Sequence, residues 1–170
     1  GKIGGAADFD GNRDLILVPH ADTLSLQDEF TLSGWFRLET LSLFTRYRLL
    51  SKETDGRNDN YSLSLSGSDL ILAVDGNSFT ASKLLLPAVW YHVAATFDDA
   101  ADEVRIYFNG EEVLSTATNA RLSPNSDPLY LGSNWEDTKS LDGRLDDIRI
   151  YNYALAAHEI DGLMTAISSG

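Results

Sequence analysis

"VRIYFNGEEVLS", Val104 to Ser115, decides the architecture. Two runs rich in β-branched and aromatic residues flank Asn109-Gly110, a dipeptide that supplies both positive φ angles of a type I′ turn. The stretch is a β-hairpin. Upstream, "LSLSGSDLILAVDGNSFTA" repeats the device twice, with Gly67-Ser68 and Asp75-Gly76 as turns. "FTLSGWFRL", "YRLLSK", "WYHVAATFD" and "PLYLGS" read as further strands by their aromatic and β-branched content. Only "ALAAHEIDGLM" reads as helix, with Leu155, Ile160, Leu163 and Met164 near helical spacing. About a dozen strands and one short helix near the C-terminus predict an all-β domain of two packed antiparallel sheets.

The 170 residues fit one domain, 1–170, with a sizeable core, and show no linker, repeat or second composition. No apolar run is long enough to cross a bilayer. "GKIGGAADF" has neither the basic start nor the apolar stretch of a signal peptide, as expected of a module cut from a longer chain. There are no cysteines, which excludes disulfides and thiolate chemistry. Thirteen basic residues against twenty-six acidic ones give a net charge of −13, a field that repels nucleic acid and anionic lipid. It favours cations, calcium among them, because calcium takes oxygen ligands.

"GRLDDIRIYNYAL", Gly143 to Leu155, carries a contradiction. Ile148 and Ile150 sit two apart, as residues facing one core should, but Leu145 falls on the opposite parity. Asp146 and Asp147 lie between the two registers. The switch requires either a β-bulge or a carboxylate turned inward, and an inward carboxylate needs donors or a cation.

Taken in order, "GKIGGAADFDG", "FTLSGWFR", "WYHVAATFD", "VRIYFNGEEV", "LYLGSN" and "GRLDDIRIYNYALAAHEI" resemble a laminin-G-like domain of the bacterial subgroup, in the concanavalin A-like lectin/glucanase superfamily. The resemblance runs nearly end to end. It implies a jelly-roll sandwich with its first and last strands side by side, frequent calcium and glycan binding, and a place in a larger secreted protein. The loops "RNDNY" and "NWEDTKSL" are this chain's own, and ligand choice resides in such loops.

If the first and last strands pair, "DFDGNRD" brings Asp8, Asp10, Asn12 and Asp14 toward Asp146 and Asp147. The expectation is a calcium site built from Asp10, Asn12, Asp146 and Asp147, with Gly11 letting the chain turn sharply. It is not an EF-hand, since counting from Asp8 puts Arg13 and Pro19 where glycine and glutamate are needed. The alternative is that Asp147 takes backbone amides while Arg144 or Arg149 neutralises its neighbour.

Of three tryptophans, Trp35 and Trp90 stand where the family has packing residues and are expected in the core. Trp135 lies in the polar loop "GSNWEDTKS", where an indole face suits the apolar side of a sugar ring. Asn134, Glu136, Asp59, Asn60 and Tyr61 are candidate partners for sugar hydroxyls, and Arg46, with Arg48 and Arg57, adds positive charge. His20, His92 and His158 lie on separate segments without metal-ligand spacing. The family's glucanases carry Glu-x-Asp-x-x-Glu on one strand. Here Glu53 and Asp55 are followed by Asn58 where the third acid should be, and Gly56 interrupts the run. The sequence therefore predicts a non-catalytic, calcium-stabilised, carbohydrate-binding module. It would be secreted or on the cell surface, monomeric, and partnered by a polysaccharide or glycan and by neighbouring domains of its parent chain. The alternatives are a structural or adhesive spacer and, behind it, an endoglucanase.

Overall fold

Alternating apolar residues on twelve strands bury one face of each of two sheets. A computed structural model describes residues 1–42, 45–53, 60–134 and 140–165. Both sheets are antiparallel and six-stranded, as the sequence predicts. Sheet I runs, in spatial order, β1 (Ala7–Asp10), β12 (Asp142–Tyr151), β3 (Glu29–Leu38), β8 (Trp90–Asp98), β9 (Glu103–Phe108) and β10 (Glu111–Ala117). Sheet II runs β2 (Ile16–Val18), β11 (Leu129–Leu131), β4 (Arg46–Lys52), β5 (Tyr61–Ser66), β6 (Asp69–Val74) and β7 (Asn77–Ser82). First and last strands pair, with Ala7 opposite Leu145 and Asp10 opposite Asp142.

The core lies between the sheets. Phe30, Leu32, Phe36 and Leu38 of β3 and Val93, Ala95 and Phe97 of β8 meet Leu63, Leu65, Leu70 and Leu72 of sheet II. Phe30 packs against Phe97 and Tyr61, each at 5.6 Å between ring centres. The hairpin turns have the expected backbone: Asn109 and Gly110 at φ 49° and 82°, Asp75 and Gly76 at φ 46° and 81°. A helix, α1 (Ala157–Thr165), caps itself when Glu159 accepts the Ala156 amide at 2.8 Å, as a third-position glutamate can. Its Ile160 and Leu163, with Leu155, close over Ala94 and Tyr107 on the outer face of sheet I.

The parity contradiction resolves into a bulge. Register shifts by one residue between Asp146 and Arg149, and Asp147 adopts φ 51°. The inserted residue lets Leu145 and Ile148 both face inward, Ile148 filling the space above Gly34. A second bulge, between Arg48 and Leu50 on β4, lets adjacent Leu49 and Leu50 both enter the core. It has a consequence on the outside. Simple alternation would place residues 48 and 53 on opposite faces, but one extra residue puts both on the outer face of sheet II.

The expected tryptophan core is corrected in two respects. Trp35 is buried, but on the outer face of sheet I, where it meets His92 edge-on at 5.3 Å and the Lys2 ammonium at 4.8 Å. Trp90 is only half-buried, opposite Arg37, because the inward positions of β8 belong to Tyr91, Val93, Ala95 and Phe97.

Candidate functional site

The outer face of sheet II begins with its alternation. Leu63 and Leu65 point into the core, so Ser62 and Ser64 point out; Leu129 and Leu131 point in, so Tyr130 points out. Tyr130 lies between Ser51 of β4 and Leu17 of β2, and Leu17 is half exposed. Small hydroxyl residues, all wholly buried, thus form a floor beneath this face beside a half-buried aromatic ring. Beyond Gly132 the chain folds back onto this floor, where the Ser133 carbonyl accepts the Ser51 hydroxyl at 3.4 Å.

A buried ion pair crosses the floor. Arg48 donates through Nε to Glu53 Oε1 at 3.3 Å and through Nη2 to Oε2 at 3.0 Å, with side-chain exposures of 9% and 2%. Such forked pairs are strong and geometrically specific, and removing one partner leaves a buried charge at a cost of about 3–5 kcal/mol. Arg46, also on this face, donates Nε to Ser64 Oγ at 2.9 Å. Lys52 points the other way. Its ammonium donates to the Asn125 and Asp127 carbonyls at 3.1 and 2.6 Å and to Asn125 Oδ1 at 2.9 Å, tying down the segment before β11. Burial lowers the Lys52 pKa, with the Asp127 charge opposing.

Two candidate sugar partners prove structural. Tyr61 is wholly buried against Phe30 and donates its hydroxyl to the Leu24 carbonyl at 3.0 Å; burial pushes its pKa up. Asn60 is also wholly buried and donates Nδ2 to the Ser123 carbonyl at 2.8 Å, doing for the same segment what Lys52 does. Nor do these residues join Arg46: Tyr61 pairs with Lys52, six positions along β4, roughly 20 Å away. Asn134 is buried and already engaged. Trp135, Glu136 and Asp59 lie outside the described residues.

The expected metal set does not assemble. Asp10 sits opposite Asp142, four residues and about 13 Å from Asp146 along β12. Asp146 Oδ2 accepts the amides of Lys2 and Ile3 at 2.5 and 2.7 Å, and Asp147 pairs with Arg149 at 2.8 Å. Backbone amides and an arginine therefore supply what an ion was expected to supply. The roles are the reverse of the amide–arginine alternative, with Asp146 taking the amides. Asn12 is exposed and donates its amide to Asp10 Oδ1 at 2.8 Å. Among the described residues, no three His, Cys, Asp or Glu side chains come close enough to hold a metal.

Asp10 has another neighbourhood. With Asp142, Thr40, Thr45, Tyr47, Ser140 and Gly11 it lines a rim pocket of about 320 Å³, in which Thr40 donates its hydroxyl to Asp142 Oδ2 at 2.5 Å. Two carboxylates directly opposite on neighbouring strands repel each other. The sequence reading missed Asp142 and Tyr130, and it saw in Glu53 only an incomplete glucanase run. Tyr130 could have been found from "LYL", whose middle residue must face away from two core leucines.

A laminin G-like family model, described as the concanavalin A-like lectin/glucanases superfamily, matches residues 10–161. The chain belongs to that family. No curated protein sequence matches it. Among solved structures, domain 4 of a GH43 extracellular arabinanase from Geobacillus stearothermophilus, in complex with arabinotriose, superposes with a TM-score of 0.76 at 24% identity, covering 97% of this chain and 79% of that one. The CBM40 domain of the Ruminococcus gnavus IT-sialidase, bound to α2,3-sialyllactose, gives 0.70 at 14% identity, covering 91% of this chain and all of that one. The binding domain of Paraclostridial Mosquitocidal Protein 1 gives 0.72 at 22% identity, covering 96% of this chain. This chain spans only 46% of that structure's length. At these identities the likeness is one of fold.

Proposed function

We propose that this laminin G-like domain is a non-catalytic carbohydrate-binding module whose ligand face is the outer face of sheet II. The carrying observation is the partly exposed ring of Tyr130 beside half-exposed Leu17 on that face, above buried serines and the buried Arg48–Glu53 pair that fix its floor. Aromatic faces and oriented polar groups are what a sugar's apolar face and hydroxyls require. Two solved structures of this fold hold saccharides, which supports the reading. Glu53, fixed in a buried pair with Arg48, is poorly placed to act as a catalytic acid. The fold it shares with a domain of an extracellular arabinanase supports a secreted module attached to a larger chain. A glycan array tests the proposal: one or more polysaccharides should be retained, and Tyr130→Ala should release them. Retention of none, with or without calcium, would sink it.

Calcium belongs to the same proposal at a revised set of oxygens. Asp10 and Asp142, with the hydroxyls around their pocket, form an all-oxygen lining whose paired carboxylates a hard cation would neutralise. At a hundredfold excess over its Kd, an ion bound only by the folded chain stabilises it by about 2.7 kcal/mol. Chelator should lower the Tm and calcium restore it. Asp142→Asn should abolish that response and Asp147→Asn leave it intact; a Tm indifferent to chelator removes calcium from the account.

A further inference from the structure

We infer that a second saccharide site, separate from the outer face of sheet II, lies at the end of the sandwich where β3 begins and β12 ends, and that it takes a short neutral saccharide against Tyr153. There a cavity of about 350 Å³, the size of a small ligand pocket, opens between residues 22–29 and Asn152-Tyr153. The pocket holding Asp10 and Asp142 is at the opposite end of the same two strands. Unlike the groups beneath sheet II, those lining this cavity are open to a ligand: Thr23, Gln27, Asp28, Asn152 and Tyr153 are all exposed. Tyr153 keeps 45% of its surface exposed. It meets Tyr151 at 5.7 Å between ring centres with the planes 70° apart, so at least one face of Tyr153 is free of that ring. A free aromatic face beside groups that bind hydroxyls is what a sugar ring requires.

The walls are fixed through their backbones, which leaves side chains available to a ligand. Thr31, wholly buried, donates its hydroxyl to the Tyr153 carbonyl at 2.8 Å and accepts the Leu155 amide at 2.9 Å. Glu29 accepts the Ala154 amide at 3.3 Å. On the other wall, the Tyr61 hydroxyl donates to the Leu24 carbonyl at 3.0 Å, and the Asp99 amide donates to the Asp28 carbonyl at 3.0 Å. Among the described residues, no hydrogen bond or ion pair engages the side chains of Gln27, Asp28 or Asn152. Walls already ordered in this way lose little freedom when a ligand binds. Two amides and a carboxylate offer both donors and acceptors to sugar hydroxyls. No lysine or arginine lines the cavity, so an acidic sugar finds no cation there and meets the charges of Asp28 and Glu29. The lining does not suit a metal either: among the described residues, no three carboxylates come close enough to hold one.

The test is an NMR titration of the isotope-labelled domain with arabinotriose, xylotriose, cellotriose and maltotriose at millimolar concentration. At least one of these sugars should shift the side-chain amide signals of Gln27 and Asn152. Tyr153→Ala should weaken that binding about tenfold, the size of one aromatic contact, while Tyr130→Ala should leave it unchanged. Tyr153→Phe keeps the ring and should bind within about twofold of wild type, which separates loss of stacking from loss of fold. Shifts confined to Tyr130 and its neighbours overturn the inference and leave the sheet II reading standing. Shifts at Gln27 and Asn152 alone do the reverse. The absence of any shift at those two amides, whichever sugar is added, overturns the inference without recourse to a variant. So does an oligolysine peptide that occupies the cavity in place of the sugars, since the carboxylates would then be serving a cation.

Discussion

The outer faces of the two sheets present opposite solutions to the same problem. Each sheet buries one face in the common core and must do something with the other. Sheet I covers part of its outer face with α1, placing Leu155, Ile160 and Leu163 over Ala94 and Tyr107, and packs Trp35 against His92 beneath Lys2. Sheet II sets serines, a half-buried tyrosine and a buried ion pair on its outer face. Apolar cover stabilises without offering a ligand any polar partner, whereas oriented polar groups contribute little net stability and can recognise one. The first face maintains the fold; the second, where Tyr130 is partly exposed over buried polar groups, is the one proposed to meet a ligand.

The largest effect should come from lifting the cover of sheet I. Gly110 holds φ 82° in the hairpin turn, and a Cβ there would strike Asp161 Oδ1 and Met164 Cε of α1. Gly110→Val puts a β-branched residue at positive φ and pushes the side-chain ends of Asp161 and Met164 aside, and should cost roughly 3 kcal/mol, most of it backbone strain. Thermal unfolding measures it, and an unchanged Tm would show that α1 is not seated on this turn.

Next comes the acid response of the same face. Burial depresses His92 from 6.5 to about 4, with the Asp147 charge opposing and the Arg149 charge adding to the shift. Between those values the unfolded chain binds the proton and the folded chain does not, so stability falls as pH drops from 6.5 toward 4 and is complete above that window. The shift is worth on the order of 3 kcal/mol. His92→Gln should flatten that part of the stability–pH curve relative to wild type; parallel curves would mean that His92 is not sealed.

The smallest effect on stability should come from sheet II. Tyr130→Ala should change the folding free energy by only about 1–2 kcal/mol, since the ring is partly exposed. Its expected cost to glycan binding is about 1–3 kcal/mol, the size of an aromatic stacking contact. If this variant unfolds the domain, the division of labour between the faces is wrong.

Legibility in the sequence follows the same division. Asn109-Gly110 and Asp75-Gly76 are local signals, and their turns could be read directly because φ is a property of single residues. The parity switch around Asp146 and Asp147 was equally readable, but its cause was not. Which donors meet those carboxylates depends on Lys2 and Ile3, more than 140 positions away. Arg48 and Glu53 were the hardest to see. Strand alternation separates them, and only the extra residue in "RLLSKE" unites them. Tyr130 could be read as outward from "LYL", but what it stands beside depends on the pairing of β11 with β4 and β2.

The placement of β1 beside β12 has a mechanical side. β1 begins next to Leu145 and runs back toward Asp142, while β12 continues past Leu145 to Tyr151. The incoming and outgoing strands therefore reach the same end of sheet I, and tension between them loads one backbone pairing after another. Once α1 has lifted from Ala94 and Tyr107, the Lys2 and Ile3 amides would leave Asp146, then Ala7 would part from Leu145, and so on down to Asp10. Strands arranged in that way unzip at low force, whereas strands pulled from opposite ends must shear all their bonds together. A domain connected so would yield early in a stretched filament, acting as an extensible element rather than a rigid strut.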